Sequence, residues 1–383
     1  MGKQMPERDV VVVGAGIVGL ACAWHAARAG LSVLVLDRGT PEPSASATAA
    51  GMLAPVTEAE FGEEHLLRLN LAGAAAWPAF AAELSERSGI DLAHRESGAL
   101  VVAADRDDAE ELRRLHELQR SLGLEARWLT GRECRRLEPG LSPRLHGGVL
   151  APRDGSVDPR AVLRALRAAL DAAPAAEVRT GVEVTGIEER GGVVTGVAMA
   201  EDRVPAGRVV VAAGAWSASL GGAGSPVRPV KGQLVRLSGP ARPRLAERIV
   251  RTPRCYVVTR PSGEVVVGAT VEERGFDTTV TAGAVQRLLE AAWEVLPDVE
   301  EHELVETAAA LRPGTPDNCP LIGAAGPDGL LWATGHHRNG VLLAPITADA
   351  VTDLLLGRSL PETVQRFSPS RFERGGRLAE ARV

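Results

Sequence analysis

Asp9 to Val13 is a short, largely β-branched run that leads directly into Gly14-Ala15-Gly16-Ile17-Val18-Gly19, and this junction narrows the possible folds of the chain more than any other feature. An Ala-rich helical segment follows as far as Ala29, Gly30 closes it, and Leu31-Ser32-Val33-Leu34-Val35-Leu36 reads as a second buried strand ending at Asp37. The whole is a βαβ unit of about 30 residues. In such a unit the first glycine permits the tight turn, the second lets a pyrophosphate approach the backbone, and the third lets helix and strand pack closely. The helix N-terminus then faces the phosphates. Asp37, 18 residues after Gly19 and at the end of the second strand, is placed to accept hydrogen bonds from a ribose diol. The pattern predicts a bound dinucleotide and leaves open whether it is NAD or FAD.

At 383 residues the chain has room for two or three domains, taking ~150 per domain. Hydrophobic residues at 45% and charged residues at 24% describe a globular protein rather than a disordered chain or a membrane bundle. The net charge of -6 carries no basic excess, so nucleic acid is not an expected partner. Cys22, Cys134, Cys255 and Cys319 are far apart with no C-x-x-C pair, against a disulfide framework and against a zinc site. Lys3 and Arg8 precede an apolar stretch, but glycines interrupt it and Trp24, His25 and Arg28 stand where a cleavage site would need small residues. No apolar run approaches the ~20 residues of a spanning helix, and Met1-Gly2-Lys3-Gln4-Met5-Pro6 lacks the Ser or Thr of an acylation motif. A cytoplasmic protein without a membrane segment is expected.

Further along, helices are expected from about 64 to 87 and 107 to 122, with a strand at 98–103 between them. Asp158-Pro159 is an N-cap followed by Pro at the first helical position, so a helix should run to about Asp171. Strands are expected at 176–180, 183–188, 193–199 and 207–212. After Gly214 the pattern changes to longer strands at 227–237, 254–260 and 264–270 and a helix at 282–295, which reads as an antiparallel sheet of a different domain. A final strand, Leu330 to Ala333, passes through a glycine loop into an apolar helix with Pro345 near its start, and residues 366–383 read as a disordered tail.

Ser46 to Met52 offers small residues and backbone N–H groups where a cofactor could lie extended, Val209 to Gly214 is a buried strand ending in small residues, and Gly335 to Gly340 leads a positive helix end toward a ring of developing negative charge. Together with Ala49-Ala50-Gly51-Met52-Leu53, Pro229-Val230-Lys231-Gly232-Gln233, Val265-Val266-Val267-Gly268-Ala269-Thr270, Leu311-Arg312-Pro313-Gly314-Thr315 and Gly335-His336-His337-Arg338-Asn339-Gly340-Val341-Leu342-Leu343-Ala344-Pro345, these stretches carry a family likeness. From about Val10 to Leu356 the chain resembles the D-amino-acid oxidase family of FAD-dependent amine oxidoreductases, and within it the glycine oxidases of thiamine biosynthesis.

The resemblance implies an α/β fold, α+β overall, with an FAD-binding Rossmann-like domain from residues 1–85, 146–220 and 306–365 and an antiparallel-sheet substrate-binding domain from 86–145 and 221–305. It implies FAD contacts at Gly14, Gly16, Ile17, Val18, Gly19, Asp37, Arg38, Ala45, Ser46, Ala50, Gly51, Met52, Val184 and Gly214, and along the loop of Gly335, His336, His337, Arg338, Asn339, Gly340, Val341 and Leu342. The cofactor should be non-covalent, since neither Cys nor His occurs between Gly39 and Ala50 and the nearest cysteine to the later loop is Cys319. No metal is expected, because the adjacent His336 and His337 have no third ligand nearby. The resemblance places the substrate carboxylate on Arg312 and Tyr256, with Arg338 close by. A planar guanidinium can grip a carboxylate through two parallel hydrogen bonds; the weaker alternative is that Arg-Pro-Gly after Thr307 to Leu311 forms a surface turn. The only tyrosine in the chain, Tyr256 could serve simply as an aromatic on an antiparallel strand.

The implied activity is oxidative deamination of glycine and other small amino acids, such as sarcosine and small D-amino acids. It proceeds by hydride transfer to flavin without an obligatory side-chain base, and oxygen is reduced to hydrogen peroxide. The imine would feed thiazole synthesis, with thiazole synthase as a partner, and a homo-oligomer is expected. A D-amino-acid or sarcosine-type dehydrogenase with another electron acceptor, or a flavin-binding subunit of a larger complex, stays open. Arg254 and Val271 stand where the glycine oxidase pattern has histidine and methionine, which bears on substrate preference.

Overall fold

The computed structural model describes residues 8–39, 44–220 and 225–372. Met1 to Pro6 and the part of the expected tail from residue 373 lie outside them. The βαβ unit forms as Val10–Val13, Ile17–Arg28 and Val33–Asp37. Its strands sit in a six-stranded sheet in the order Leu321–Ala324, Leu330–Thr334, Val209–Val211, Val10–Val13, Val33–Asp37, Ala176–Thr180. All neighbours are parallel except the outer hairpin of Leu321–Ala324 with Leu330–Thr334. Both faces are covered, which explains why these strands are continuously apolar. Val10, Val12 and Val35 meet helices Ile17–Arg28, Pro159–Asp171 and Gly340–Leu355 on one face. Val11, Val13 and Leu36 meet a three-stranded antiparallel sheet of Val184–Arg190, Val193–Met199 and Arg203–Pro205 on the other.

The larger sheet has eight strands, in the order Glu303–Gly314, Arg228–Ser238, Glu264–Gly268, Tyr256–Thr259, Ile249–Arg251, Ala99–Ala103, Gly147–Ala151, Arg127–Leu129. It is antiparallel apart from the pairing of Ile249–Arg251 with Ala99–Ala103. Helix Ala282–Val295 packs Leu288, Ala292 and Val295 against it.

The strand Glu303–Gly314 is twelve residues long and pairs along almost all of Arg228–Ser238, so Arg312-Pro313-Gly314 is not a surface turn. Proline is tolerated because this is the edge strand, where a missing N–H costs no ladder bond on the open side. Glu303–Gly314 and Gly147–Ala151 are strands of the larger sheet, although the bounds implied by the resemblance, 146–220 and 306–365, assign Gly147–Ala151 and most of Glu303–Gly314 to the FAD-binding domain. The start of the expected tail is also built into the fold. Phe367 is buried, and Arg371 in the 3-10 turn Pro369–Phe372 is 2.8 Å from Asp317.

All four cysteines are free thiols, three buried and Cys319 half-buried. Burial pushes Cys134 and Cys255 up to about 11 and Cys319 up to about 12. Among the described residues no helix is long and apolar enough to cross a membrane.

Candidate active site

A cavity of about 790 Å³ lies between the two large sheets, its lining running from Gly14 and Asp37 at the carboxyl ends of parallel strands, and Val184 at the start of the antiparallel strand Val184–Arg190, to Tyr256, Arg312 and His337. Gly14 has φ +114°, and a Cβ on it would fall 2.4 Å from the Ala212 carbonyl oxygen. A Cβ on Gly19 would fall 2.0 Å from the Gly14 carbonyl oxygen, so helix and turn pack with no space between them. Gly16 differs: its φ is -71° and the nearest atom to a Cβ there is Ser46 Oγ at 3.3 Å. The chain itself does not require glycine at this position, which lines the cavity.

Asp37 accepts hydrogen bonds from the Ala15 N–H at 2.6 Å and the Gly39 N–H at 2.8 Å, closing the glycine turn onto the end of the second strand. Ser46 Oγ accepts from the Ile17 N–H at 3.0 Å. Three guanidinium groups hold the carbonyls of the small-residue stretch. Arg160 and Arg236 donate to the Ala47 oxygen at 3.1 and 3.0 Å, and Arg260 donates to the Ala50 oxygen at 2.6 Å. Helices Ile17–Arg28 and Gly340–Leu355 both begin at the cavity without a cap from the N-cap side chain and without an acidic residue in the first turn. Two positive helix ends thus open on one space.

A glycine where a ligand can touch backbone, a carboxylate at the strand end and two open helix ends fit an FAD. Of the residues expected to hold it, Gly14, Gly16, Ile17, Val18, Asp37, Arg38, Ala45, Ser46, Ala50, Gly51, Met52, Val184, Gly214, His336, His337, Arg338, Gly340 and Val341 line the cavity. Gly19, Gly335, Asn339 and Leu342 are not in the lining. Gly19 packs on Gly14, Gly335 turns at φ +75° against Thr315, and Asn339 and Leu342 are buried at the start of the last long helix.

At the other end of the cavity, Arg312 projects from the edge strand and Tyr256 from the first position of Tyr256–Thr259. Each lies over a glycine of a neighbouring strand. A Cβ on Gly232 would fall 2.3 Å from Arg312 Nη1, and a Cβ on Gly268 would fall 2.3 Å from the Tyr256 hydroxyl. These glycines are seats for the two side chains, and glycine inside a strand is the sequence sign of such an approach. Burial raises the Tyr256 phenol above its ordinary range, so it stays a hydrogen-bond donor.

Among the described residues five arginines line the cavity, and four are engaged. Arg251 is 3.1 Å from Glu58, Arg254 is 2.5 Å from Glu294, Arg338 is 2.6 Å from Glu60 and 3.7 Å from Glu63, and Arg38 stacks 3.9 Å from the Trp216 ring centre. Arg312 donates only to the carbonyls of Thr270 at 3.0 Å and Lys231 at 3.4 Å, and among the described residues it has no acidic partner. Arg338, expected beside the substrate, turns its guanidinium to glutamates instead. Glu58 and Glu60 come from a segment without periodicity, which left no signal in the sequence.

His336 is buried with Nε2 3.0 Å from Thr347 Oγ1, and burial pushes it down to about 3. His337, with φ +46°, donates its N–H to the Pro313 oxygen at 2.9 Å. Burial and the charges of Arg312, Arg338 and Arg228 push its imidazole down to about 4. Both rings are neutral at neutral pH. Val271, 70% exposed, stands on the rim, and the segment beyond it is fastened by Lys231–Asp277 at 2.8 Å and by Gln233 and Thr270 on Glu272, each at 2.6 Å. Phe276 of that segment stacks on Trp216, ring centres 5.6 Å apart.

Residues 9–354 match the model of the DAO family, FAD dependent oxidoreductase. The glycine oxidase of Geobacillus kaustophilus (strain HTA426) is 34% identical over 378 residues, 95% of this chain and 97% of the relative. A crystal structure of glycine oxidase from Geobacillus kaustophilus superposes with a TM-score of 0.90 at 34% identity, covering 96% of this chain and 99% of the other. The bifunctional protein ThiO/ThiG of Trichormus variabilis (strain ATCC 29413 / PCC 7937) is 33% identical over 370 residues, 96% of this chain and 55% of the relative.

Proposed function

Since the chain belongs to the DAO family of FAD-dependent oxidoreductases, we propose that it deaminates glycine and other small amino acids oxidatively, with Arg312 as the anchor for the substrate carboxylate. The observation that carries this reading is that Arg312 is the one cavity arginine with neither an acidic partner nor an aromatic ring against it among the described residues. A half-buried guanidinium with free N–H groups is a receptor for a planar bidentate anion. Tyr256, still a phenol, adds one O–H donor to the same anion. The neutral His337 adds no competing charge beside Arg312.

FAD, when bound, supplies the hydride acceptor and, on reoxidation, reduces oxygen to hydrogen peroxide. The residues that hold it are those of the glycine turn, Asp37, the Ala45 to Met52 stretch and the His336 to Val341 loop, and the open end of Gly340–Leu355 favours negative charge nearby. On this reading the six-stranded sheet carries the cofactor and the eight-stranded sheet carries the substrate groups. The amino group needs no side-chain base if it reacts in its neutral form. The fusion named ThiO/ThiG supports delivery of the imine product to a thiazole synthase.

The test is to purify the protein, record its visible spectrum and add glycine, sarcosine and small D-amino acids without oxygen. Bleaching of a flavin spectrum by glycine, followed by oxygen uptake on aeration, is the expected result. A colourless protein that binds NAD, or a flavin that none of these amines reduces, overturns it. Reduction without oxygen uptake would point to a dehydrogenase.

A further inference from the structure

Arg251 and Arg312 line the cavity that Tyr256 also lines, and both guanidinium charges reach its phenol, opposed there by Glu58. Arg251 lies on the strand adjacent to Tyr256 and pairs with it in register. Its guanidinium is closed off by Glu58, at 3.1 Å, and by the Thr57 carbonyl, at 3.3 Å. The Glu58 side chain is only 9% exposed and that of Arg251 21%. The pairs that engage Arg254 and Arg338 are wetter, at 47% and 34% exposed for Arg254–Glu294 and 30% and 49% for Arg338–Glu60. Exposed pairs are weak and screened by salt, whereas removing one partner of a buried pair leaves an uncompensated charge.

We propose that Glu58 limits how many carboxylates the cavity accepts: by neutralising Arg251 it withholds a second guanidinium beside Tyr256 and favours amino acids with a single carboxylate. The proposal rests on the reading that Arg312 takes the substrate carboxylate. Glu58 acts through Arg251 and is a positioning residue for specificity. Without its negative charge, Arg251 becomes a second guanidinium beside Tyr256, suited to the distal acid of an amino dicarboxylate.

Acetate and malonate differ only by a second carboxylate, and neither is an amine, so both can be titrated against the FAD-loaded protein by the change in flavin absorbance. In Glu58→Gln the affinity for malonate relative to acetate should rise roughly tenfold or more, the worth of one new charge-assisted hydrogen bond. Glu58→Gln with Arg251→Gln should return the ratio toward wild type. Arg251→Gln alone leaves Glu58 as a bare anion and should move the ratio the opposite way, which keeps the test decisive if Glu58→Gln does not fold. A ratio unmoved in Glu58→Gln, or moved equally in the double variant, overturns the proposal. Arg312→Ala separates the two levels. If it leaves acetate binding intact, the reading beneath falls. If it abolishes acetate binding while Glu58→Gln keeps the wild-type ratio, only the selectivity proposal falls.

Discussion

Arg312 donates to main-chain carbonyls through Nη1 alone and has no acidic partner among the described residues, a state that a half-buried cation tolerates when an anion completes it. Removing one partner of a buried charge pair costs about 2–5 kcal/mol, so Arg312→Ala should weaken carboxylate binding by roughly one and a half to nearly four orders of magnitude. Arg312→Lys should recover only part, because an ammonium cannot reproduce the fork. Tyr256→Phe, losing one hydrogen bond to a charged group, should cost roughly tenfold or somewhat more. Glycine titrations of flavin reduction without oxygen, at normal flavin content, check all three. His336 gives a second expectation. Its pKa lies near 3 in the fold because burial disfavours the cation, and near 6.5 in the unfolded chain. The unfolded state therefore binds the extra proton as pH falls from about 6.5 to 3, and the native state loses up to about 1.4 kcal/mol per pH unit relative to it. In denaturant unfolding, His336→Gln should narrow its stability gap to the wild type across that window. A gap independent of pH would mean that the ring is charged in the fold.

At the scale of elements, the glycine turn separates two kinds of glycine. Gly19→Ala would set a methyl 2.0 Å from the Gly14 carbonyl oxygen and should lower the melting temperature whether or not cofactor is present. Gly16→Val should fold once the Ser46 side chain gives by a few tenths of an ångström, since no backbone atom stands in the way, but should contain no FAD. Normal flavin content in Gly16→Val would move the cofactor elsewhere. On the larger sheet, Gly232→Ala should displace the far end of Arg312 and weaken carboxylate binding while flavin content stays normal. The βαβ unit was legible because strand, glycine spacing, helix and acid all report on one local geometry, and helices Pro159–Asp171 and Ala282–Val295 were legible from capping and periodicity. The edge strand Glu303–Gly314 was not, because Arg-Pro-Gly carries turn chemistry and only a long-range pairing with Arg228–Ser238 overrides it. For the same reason Glu58 and Arg251 could not be read as neighbours: nothing local brings residues about 190 positions apart to one ion pair.

At the scale of the whole molecule, the cavity is a seam. The groups that fit the cofactor come chiefly from the six-stranded sheet and its helices, Arg312 and Tyr256 come from the eight-stranded sheet, and Phe276 on Trp216 bridges the two beside Arg38. A ligand in the seam binds only the folded arrangement, so free FAD at a hundredfold over its dissociation constant should stabilise the protein by about 2.7 kcal/mol. Thermal melts with and without added FAD should show that gain in wild type and none in Gly16→Val. The placement of the thiols bears on durability. Cys255 lines the space in which, on the proposed reaction, peroxide is released at every turnover, yet burial holds its pKa near 11 and the attacking thiolate is scarce. Met52 lines the same space with a thioether whose oxidation no pKa restrains. A preparation worked to exhaustion on glycine should therefore age by sulfoxide at Met52 while Cys255 stays reduced, and peptide mass spectrometry of the spent protein would show which sulfur the enzyme's own product reaches first.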